Sequence, residues 1–351
     1  MKILYLIHVC WEWIFQRPQI LELLLEKDYK VTVVNKKFVL RPSISKNNKM
    51  PFDLKLAYQL PKADSFKFLK RINEFLYANS IKNCTEYDAI WVCHPLLFKA
   101  IPKSYKGKII YDCMDNHVAM AREDERNMIY ELEQQLIARA DLILVSSQKL
   151  KEVIPNMEDA VLVRNGYIAS KLQDIKTAEH KDSYKVGYFG TIASWFDFDL
   201  LEKSLKENKN IQYHLLGPLD KEIDASKHEE MIFEGVVEHA KLFDYVKNYD
   251  ALFMPFQVND IILSVDPVKL YEYIAFGKCI ISVWYPEIER FAPFVYFYRD
   301  IDEYNKLIKE LSEKGFPAKY NKEQQEKFLR ENTWEYRHIA IKEHVDLLLN
   351  K

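Results

Sequence analysis

The sequence predicts an α/β protein of two parallel-sheet domains, and three observations carry that expectation. Short apolar runs rich in β-branched residues alternate with helix-length stretches, the alternation occurs as two series, and the chain is long. At 351 residues it exceeds what one hydrophobic core usually organises. The first series comprises Ile3 to Val9, Val31 to Val34, Ala89 to Cys93, Lys108 to Asp112, Leu142 to Ser146 and Val161 to Val163. The second comprises Lys185 to Phe189, Ile211 to Leu216, Met231 to Glu234, Ala251 to Pro255 and Cys279 to Val283. Runs of this length between helices read as βαβ units whose strands are covered on both faces. The seam is expected near Arg164-Asn165-Gly166 and the charged stretch Ser170 to Ser183. A final helix, Lys322 to Leu349, is long enough to return to the first domain.

Composition excludes several functions. Fifty basic and 52 acidic residues leave a net charge of -2, so nothing attracts the whole chain to nucleic acid. Five cysteines, an odd number with no C-x-x-C pair, read as buried thiols in a reducing cytosol. The apolar start is followed by Trp11-Glu12-Trp13 where a signal peptide would carry small residues, so it reads as a first buried strand. No apolar run approaches the ~20 residues that cross a bilayer. No His or Cys cluster has zinc spacing, and Asp197-Phe198-Asp199 reads as the acidic first turn of a helix. Neither a metal nor a cofactor is expected.

Glycine distribution places the candidate ligand site. No glycine precedes Gly107, which rules out a G-x-G-x-x-G dinucleotide turn after the first strand. In the second series, Gly187-Tyr188-Phe189-Gly190-Thr191 ends a strand in a turn whose N–H groups can approach a phosphate closely. Gly217-Pro218, Gly235-Val236-Val237 and the loop before Pro267 also follow strands, at the carboxyl ends where open parallel sheets bind ligands. Ordinary βα turns would explain any one of these glycines, but explain the set less well. Asp266 reads as an N-cap, Pro267 as the first helical residue and Gly277 as the left-handed C-cap. Lys269 then lies in the first turn, where the helix dipole disfavours a cation unless an anion sits among the free N–H groups. Glu272 shares its face and is suited to paired hydroxyls. The plain alternative is a surface ion pair on an amphipathic helix.

The motifs resemble, in order along nearly the whole chain, the GT-B sugar-nucleotide glycosyltransferases. They are most similar to a bacterial branch that builds teichuronic acid, exopolysaccharide or lipopolysaccharide. The resemblance rests on Trp11-Glu12-Trp13-Ile14-Phe15-Gln16-Arg17-Pro18-Gln19, Tyr111-Asp112-Cys113-Met114-Asp115, Ala140-Asp141-Leu142-Ile143-Leu144-Val145-Ser146-Ser147 and Arg164-Asn165-Gly166. It continues in Gly187 to Ile192, Ser264 to Tyr273 and Asn332-Thr333-Trp334. It implies two facing Rossmann-like domains: residues 1–166 for the acceptor, 167–330 for the nucleotide sugar, and a C-terminal helix, 331–351, packing back on the first. The implied activity is metal-independent hexosyl transfer from a nucleoside diphosphate sugar, UDP-linked by preference, to a surface polysaccharide or lipid-linked glycan. The same architecture serves sugar-nucleotide epimerases, and a non-catalytic nucleotide-sugar binder is a third reading.

The resemblance assigns donor binding to Gly190, Thr191, Val237, Lys269, Leu270 and Glu272, with Lys269 neutralising the diphosphate leaving group. Many such enzymes carry a further glutamate eight residues before the position of Glu272, and here that position is Ser264. Asp115, after the strand Lys108 to Asp112, is the candidate catalytic base, with Asp112 and His117 as rivals. The alternative is that Asp112 and Asp115 cap the following helix. Trp13, Gln16, Arg17 and His94 are candidate acceptor contacts. Against that reading, the tryptophans are core, Arg17 pairs with Glu12, and His94 caps beside Pro95. Lys62 to Lys82 reads as a basic amphipathic helix, either covering the first sheet or lying on an anionic membrane. The resemblance implies a cytoplasmic enzyme, peripheral on the inner face of the membrane.

Overall fold

The computed structural model describes residues 1–11, 16–38, 50–61, 63, 66–168, 173–220, 223–237 and 241–350. The chain forms two compact units, Met1–Asn165 together with Trp334–Lys351, and Gly166–Thr333. Each is built on one parallel sheet. The strands of the first unit are β1 (Lys2–Leu6), β2 (Lys30–Phe38), β3 (Leu54–Gln59), β4 (Ala89–Val92), β5 (Lys108–Cys113), β6 (Leu142–Val145) and β7 (Val161–Leu162). Their order is β3-β2-β1-β4-β5-β6-β7. The second unit holds β8 (Tyr184–Phe189), β9 (Ile211–Leu216), β10 (Ile232–Gly235), β11 (Ala251–Met254), β12 (Cys279–Val283) and β13 (Tyr296–Tyr298). Their order is β10-β9-β8-β11-β12-β13.

Both sheets run outward one way from their first strand and then restart on its other side. The switch points lie between β1 and β4 and between β8 and β11. Ligands of open α/β sheets bind at such crevices, at the carboxyl ends of the strands. Every apolar run expected to be a strand is one. β3 and β13 were not expected, because one is a sheet edge with Leu56 and Tyr58 exposed and the other is only Tyr296–Tyr298.

Strand alternation splits the first core into two layers. One face packs Tyr5, Val33, Trp91 and Ile110 with Trp11, Leu21 and the C-terminal Trp334, Ile341 and Val345. The other packs Leu4, Ile90, Ile109 and Tyr111 with Leu136 and Leu150. The expected single helix Lys322 to Leu349 is two helices, Lys322–Arg330 in the second unit and Trp334–Asn350 in the first. The break is paired backbone: Tyr167 N–H donates to Asn332 O at 2.9 Å, and Tyr167 and Thr333 form a parallel bridge. Backbone used this way cannot continue the helical ladder.

Arg17 opens the helix Arg17–Leu25 and is buried with Asp112 of β5. Its Nη2 and Nε donate to Asp112 Oδ1 at 2.8 and 3.1 Å, and its Nη1 donates to Val163 O at 2.8 Å and Asn165 Oδ1 at 3.2 Å. The guanidinium also lies 5.9 Å from the Trp334 ring centroid. One side chain therefore ties the first helix to the ends of β5 and β7 and to the last helix. Arg17→Met leaves a buried carboxylate without its counter-charge and is expected to cost about 3–5 kcal/mol in urea unfolding. Arg17→Met with Asp112→Leu is expected to recover most of that loss, and no recovery would show that the pair is not what the fold needs there.

Candidate functional sites on the two units

In the second unit the ends of β8, β9 and β10 are laced together by backbone. Gly190 N–H donates to Leu216 O at 2.9 Å, Gly217 N–H to Gly235 O at 2.8 Å and Ile192 N–H to Pro218 O at 2.9 Å. Gly190 and Gly217 take φ of +133° and +143°, a region L side chains rarely occupy. A Cβ on Gly217 would stand 2.0 Å from Gly190 O. The two turns touch main chain to main chain, which only glycine permits.

Lys269 lies over this turn. A Cβ on Gly190 would meet its Cε at 2.2 Å and Nζ at 2.7 Å. Its Nζ is 5.5 Å from the Tyr188 ring centroid, and Tyr188 Oη donates to Thr191 O at 2.8 Å. Burial pulls the ammonium below its usual range, and Glu272 on the same helix opposes that shift. The helix is Val268–Ala275 with Pro267, not Asp266, at its N-cap position. Asp266 instead holds Arg290 and accepts from Tyr271 Oη at 3.1 Å, the first remote in sequence and the second on the same helix. Lys269 stays in the first turn, and Gly277 has the expected positive φ of 67°. Leu270 is fully buried and its N–H is bonded to Pro267 O at 3.1 Å, while Val237 packs half-buried on the core. Asp197 caps Phe198–Glu207, as its acidic-turn reading expects.

In the first unit, Asp115 follows β5 and burial raises its carboxyl to about 6, with Arg17 opposing and Asp112 assisting. It does not cap the next helix, and neither does Asp112. Asn116 does so, accepting from Ala119 N–H at 3.0 Å. His94 caps Pro95–Phe98, its Nδ1 accepting from Leu96 N–H at 3.1 Å. Gln16 sits at the N-cap of Arg17–Leu25, where its N–H donates to Gln19 Oε1 at 3.3 Å. Arg17 pairs with Asp112, and Glu12 and Trp13 lie outside the described residues.

A residue the sequence reading passed over is His8. It stands just beyond β1, beside His94 after β4 and His117 after β5. Ring centroids are 5.2 Å apart for His8 and His94, 4.3 Å for His94 and His117, and 6.3 Å for His8 and His117. Burial lowers all three below the usual imidazole range, His8 to about 4 and His117 to about 3. The available signal was positional: each histidine follows a strand, and the three strands are neighbours in the sheet. Among the described residues no group of three or more His, Cys, Asp or Glu is arranged to hold a metal ion.

No family model matches the chain. HepE of Anabaena, solved in complex with UDP and glucose, superposes with a TM-score of 0.69 at 14% identity, covering 99% of both chains. The chain has the GT-B fold. A Listeria monocytogenes protein named as a UDP-N-acetylglucosamine 2-epimerase superposes at 0.53 with 10% identity, over 98% of this chain and 95% of that one. By sequence the chain is similar to TuaH of Bacillus subtilis, named as a teichuronic acid biosynthesis glycosyltransferase, at 26% identity over 219 residues. The match covers 56% of this chain and spans about half of the relative, 55% of its length. In GT-B terms the Gly190 and Lys269 group belongs to the C-terminal Rossmann-like unit, and the histidines and Asp115 to the N-terminal one.

Proposed function

We propose that this protein is a glycosyltransferase that moves a sugar from a UDP-linked donor to a bacterial surface polysaccharide or lipid-linked glycan without a metal ion. The observation that carries the reading is Lys269, a half-buried cation in the first turn of a helix and against the Gly190 turn. A diphosphate there meets a cation, free helix N–H groups and close backbone, all fixed before it arrives. Charge grows on the departing diphosphate as the glycosidic bond breaks, so donors set at that point stabilise the transition state more than the ground state. Glu272, one helical turn on, is the partner for the ribose hydroxyls. The likeness to TuaH and the UDP held by HepE support the donor class.

On the N-terminal unit, Asp115 is the proposed base that takes the acceptor's hydroxyl proton, and Arg17 positions it through Asp112. The helix Lys67–Ser80 supports work at the cytoplasmic membrane face. Phe68 and Phe75 are 73% and 70% exposed, so they do not cover the sheet, and Arg71 lies exposed between them. Exposed aromatics alternating with a cation suit an anionic lipid surface.

UDP is expected to bind in calorimetry without magnesium, and Lys269→Ala and Glu272→Ala are each expected to weaken it, Lys269→Ala by about 1.5–3 kcal/mol for a charged contact. Binding that needs magnesium, or that both variants leave intact, would remove the donor reading. Turnover of a UDP-sugar with no acceptor present would move the assignment to the epimerase. With an acceptor in hand, kcat/KM is expected to rise through pH about 6, because only the ionised Asp115 takes a proton. Asp115→Asn should lower kcat by about 10²–10⁴ and abolish that acidic limb, and a limb that survives assigns the base elsewhere. Flotation with phosphatidylglycerol vesicles is expected to carry the wild type and not Phe68→Ser/Phe75→Ser; equal recovery would discard the membrane role of this helix.

A further inference from the structure

The histidine cluster of the N-terminal unit is not explained by folding. His8 Nδ1 and His117 Nε2 are buried and make no hydrogen bond among the described residues, and His117 is only 4% exposed. A buried polar nitrogen left unpaired costs about 1–3 kcal/mol, and two of them within one group of three histidines leave hydrogen-bonding capacity that a ligand can take up. The cluster straddles the switch point of the sheet, with His8 beyond β1 and His94 beyond β4, where α/β sheets take ligands. His94 Nδ1 is already an acceptor for Leu96 N–H, which leaves its Nε2 as a donor.

Resting on the glycosyltransferase reading, we infer that His8, His94 and His117 form a hydroxyl-binding subsite that selects an uncharged saccharide over an anionic one. The chemistry follows from what neutral imidazoles offer. Each presents one donor and one acceptor nitrogen, and a sugar hydroxyl both donates and accepts, so adjacent hydroxyls can satisfy the open positions together. A carboxylate or phosphate only accepts. It would receive the His94 N–H, leave any acceptor nitrogen unpaired, and bring its charge to a place where burial already keeps the imidazoles from becoming cations. Asp115, two residues before His117, adds a carboxyl on the same loop. Lys36 is the nearby cation that acts on His8 and His94, and it is held 5.5 Å from the Tyr77 ring centroid.

The test is long-range proton–nitrogen NMR on full-length protein labelled at histidine, titrated with the methyl glycosides of glucose, galactose and mannose and with methyl glucuronide. UDP is titrated separately. At least one neutral glycoside is expected to shift the three imidazole signals in a saturable way. His8→Gln, an amide at a half-buried position, and His117→Gln are expected to weaken it about tenfold, and the glucuronide to bind at least about tenfold more weakly than the neutral sugar. Glucuronide binding as tight as the neutral glycoside overturns the selectivity. If UDP binds and no neutral glycoside moves the imidazoles, the inference fails while the donor site stands. If the glycosides bind and UDP does not, the donor reading fails instead.

Discussion

Much of the N-terminal unit hangs on a guanidinium that has been taken out of water. Arg17 meets Asp112 through two nitrogens and reaches the backbone at the end of β7, all at almost no solvent exposure. In that setting the geometry must be right or the desolvation of both charges goes uncompensated. The pair therefore sets where the first helix begins, how β5 ends and which way the loop carrying Asp115 and His117 leaves the sheet. It also acts on Asp115 directly, as the positive charge that holds back the rise burial imposes on that carboxyl. A single ion pair thus links the packing of the unit to the acidity of its candidate base.

The C-terminal unit solves its problem without buried charge pairs at the turn. Its strand ends meet through glycine backbone, and the cation that faces them is left without a carboxylate in direct contact among the described residues. An ion pair there would satisfy Lys269 and leave nothing for a ligand. The two units divide the electrostatics accordingly: a spent cation behind the acid group of one, and a cation held in reserve above the glycine turn of the other.

The strands were legible because burial on both faces leaves continuous apolar runs, and eleven of them could be read in order. β3 was not legible because an edge strand exposed on alternate residues needs no such run, and β13 because three residues carry no period. The break before Trp334 was hidden for another reason. Asn332 and Thr333 are only weak breaks, of the kind that also start a helix, and their pairing with Tyr167 decides the matter. Asp266 failed as a cap on the same principle: a good local cap is overridden when Arg290 arrives from elsewhere and the helix's own Tyr271 turns back to the same carboxylate. Lys269 was readable from position in the helix alone, since the argument needs only the first turn. His8 was absorbed into the first strand, and its neighbours in space are far from it in sequence, brought beside it only by the sheet order.

The N-terminal unit is discontinuous, and that has a consequence for how the molecule comes into being. Trp334, Ile341 and Val345 cover the layer of Tyr5 and Trp91, yet they are translated after the whole of the C-terminal unit. At typical rates of synthesis the ribosome needs on the order of ten seconds to pass from one to the other. During that interval the nascent sheet lacks the side chains that complete one apolar face, and at its end the later unit has every residue it needs. Maturation is therefore ordered from the inside out: the C-terminal unit is the first to be finished, and the unit that leaves the tunnel first is the last to close.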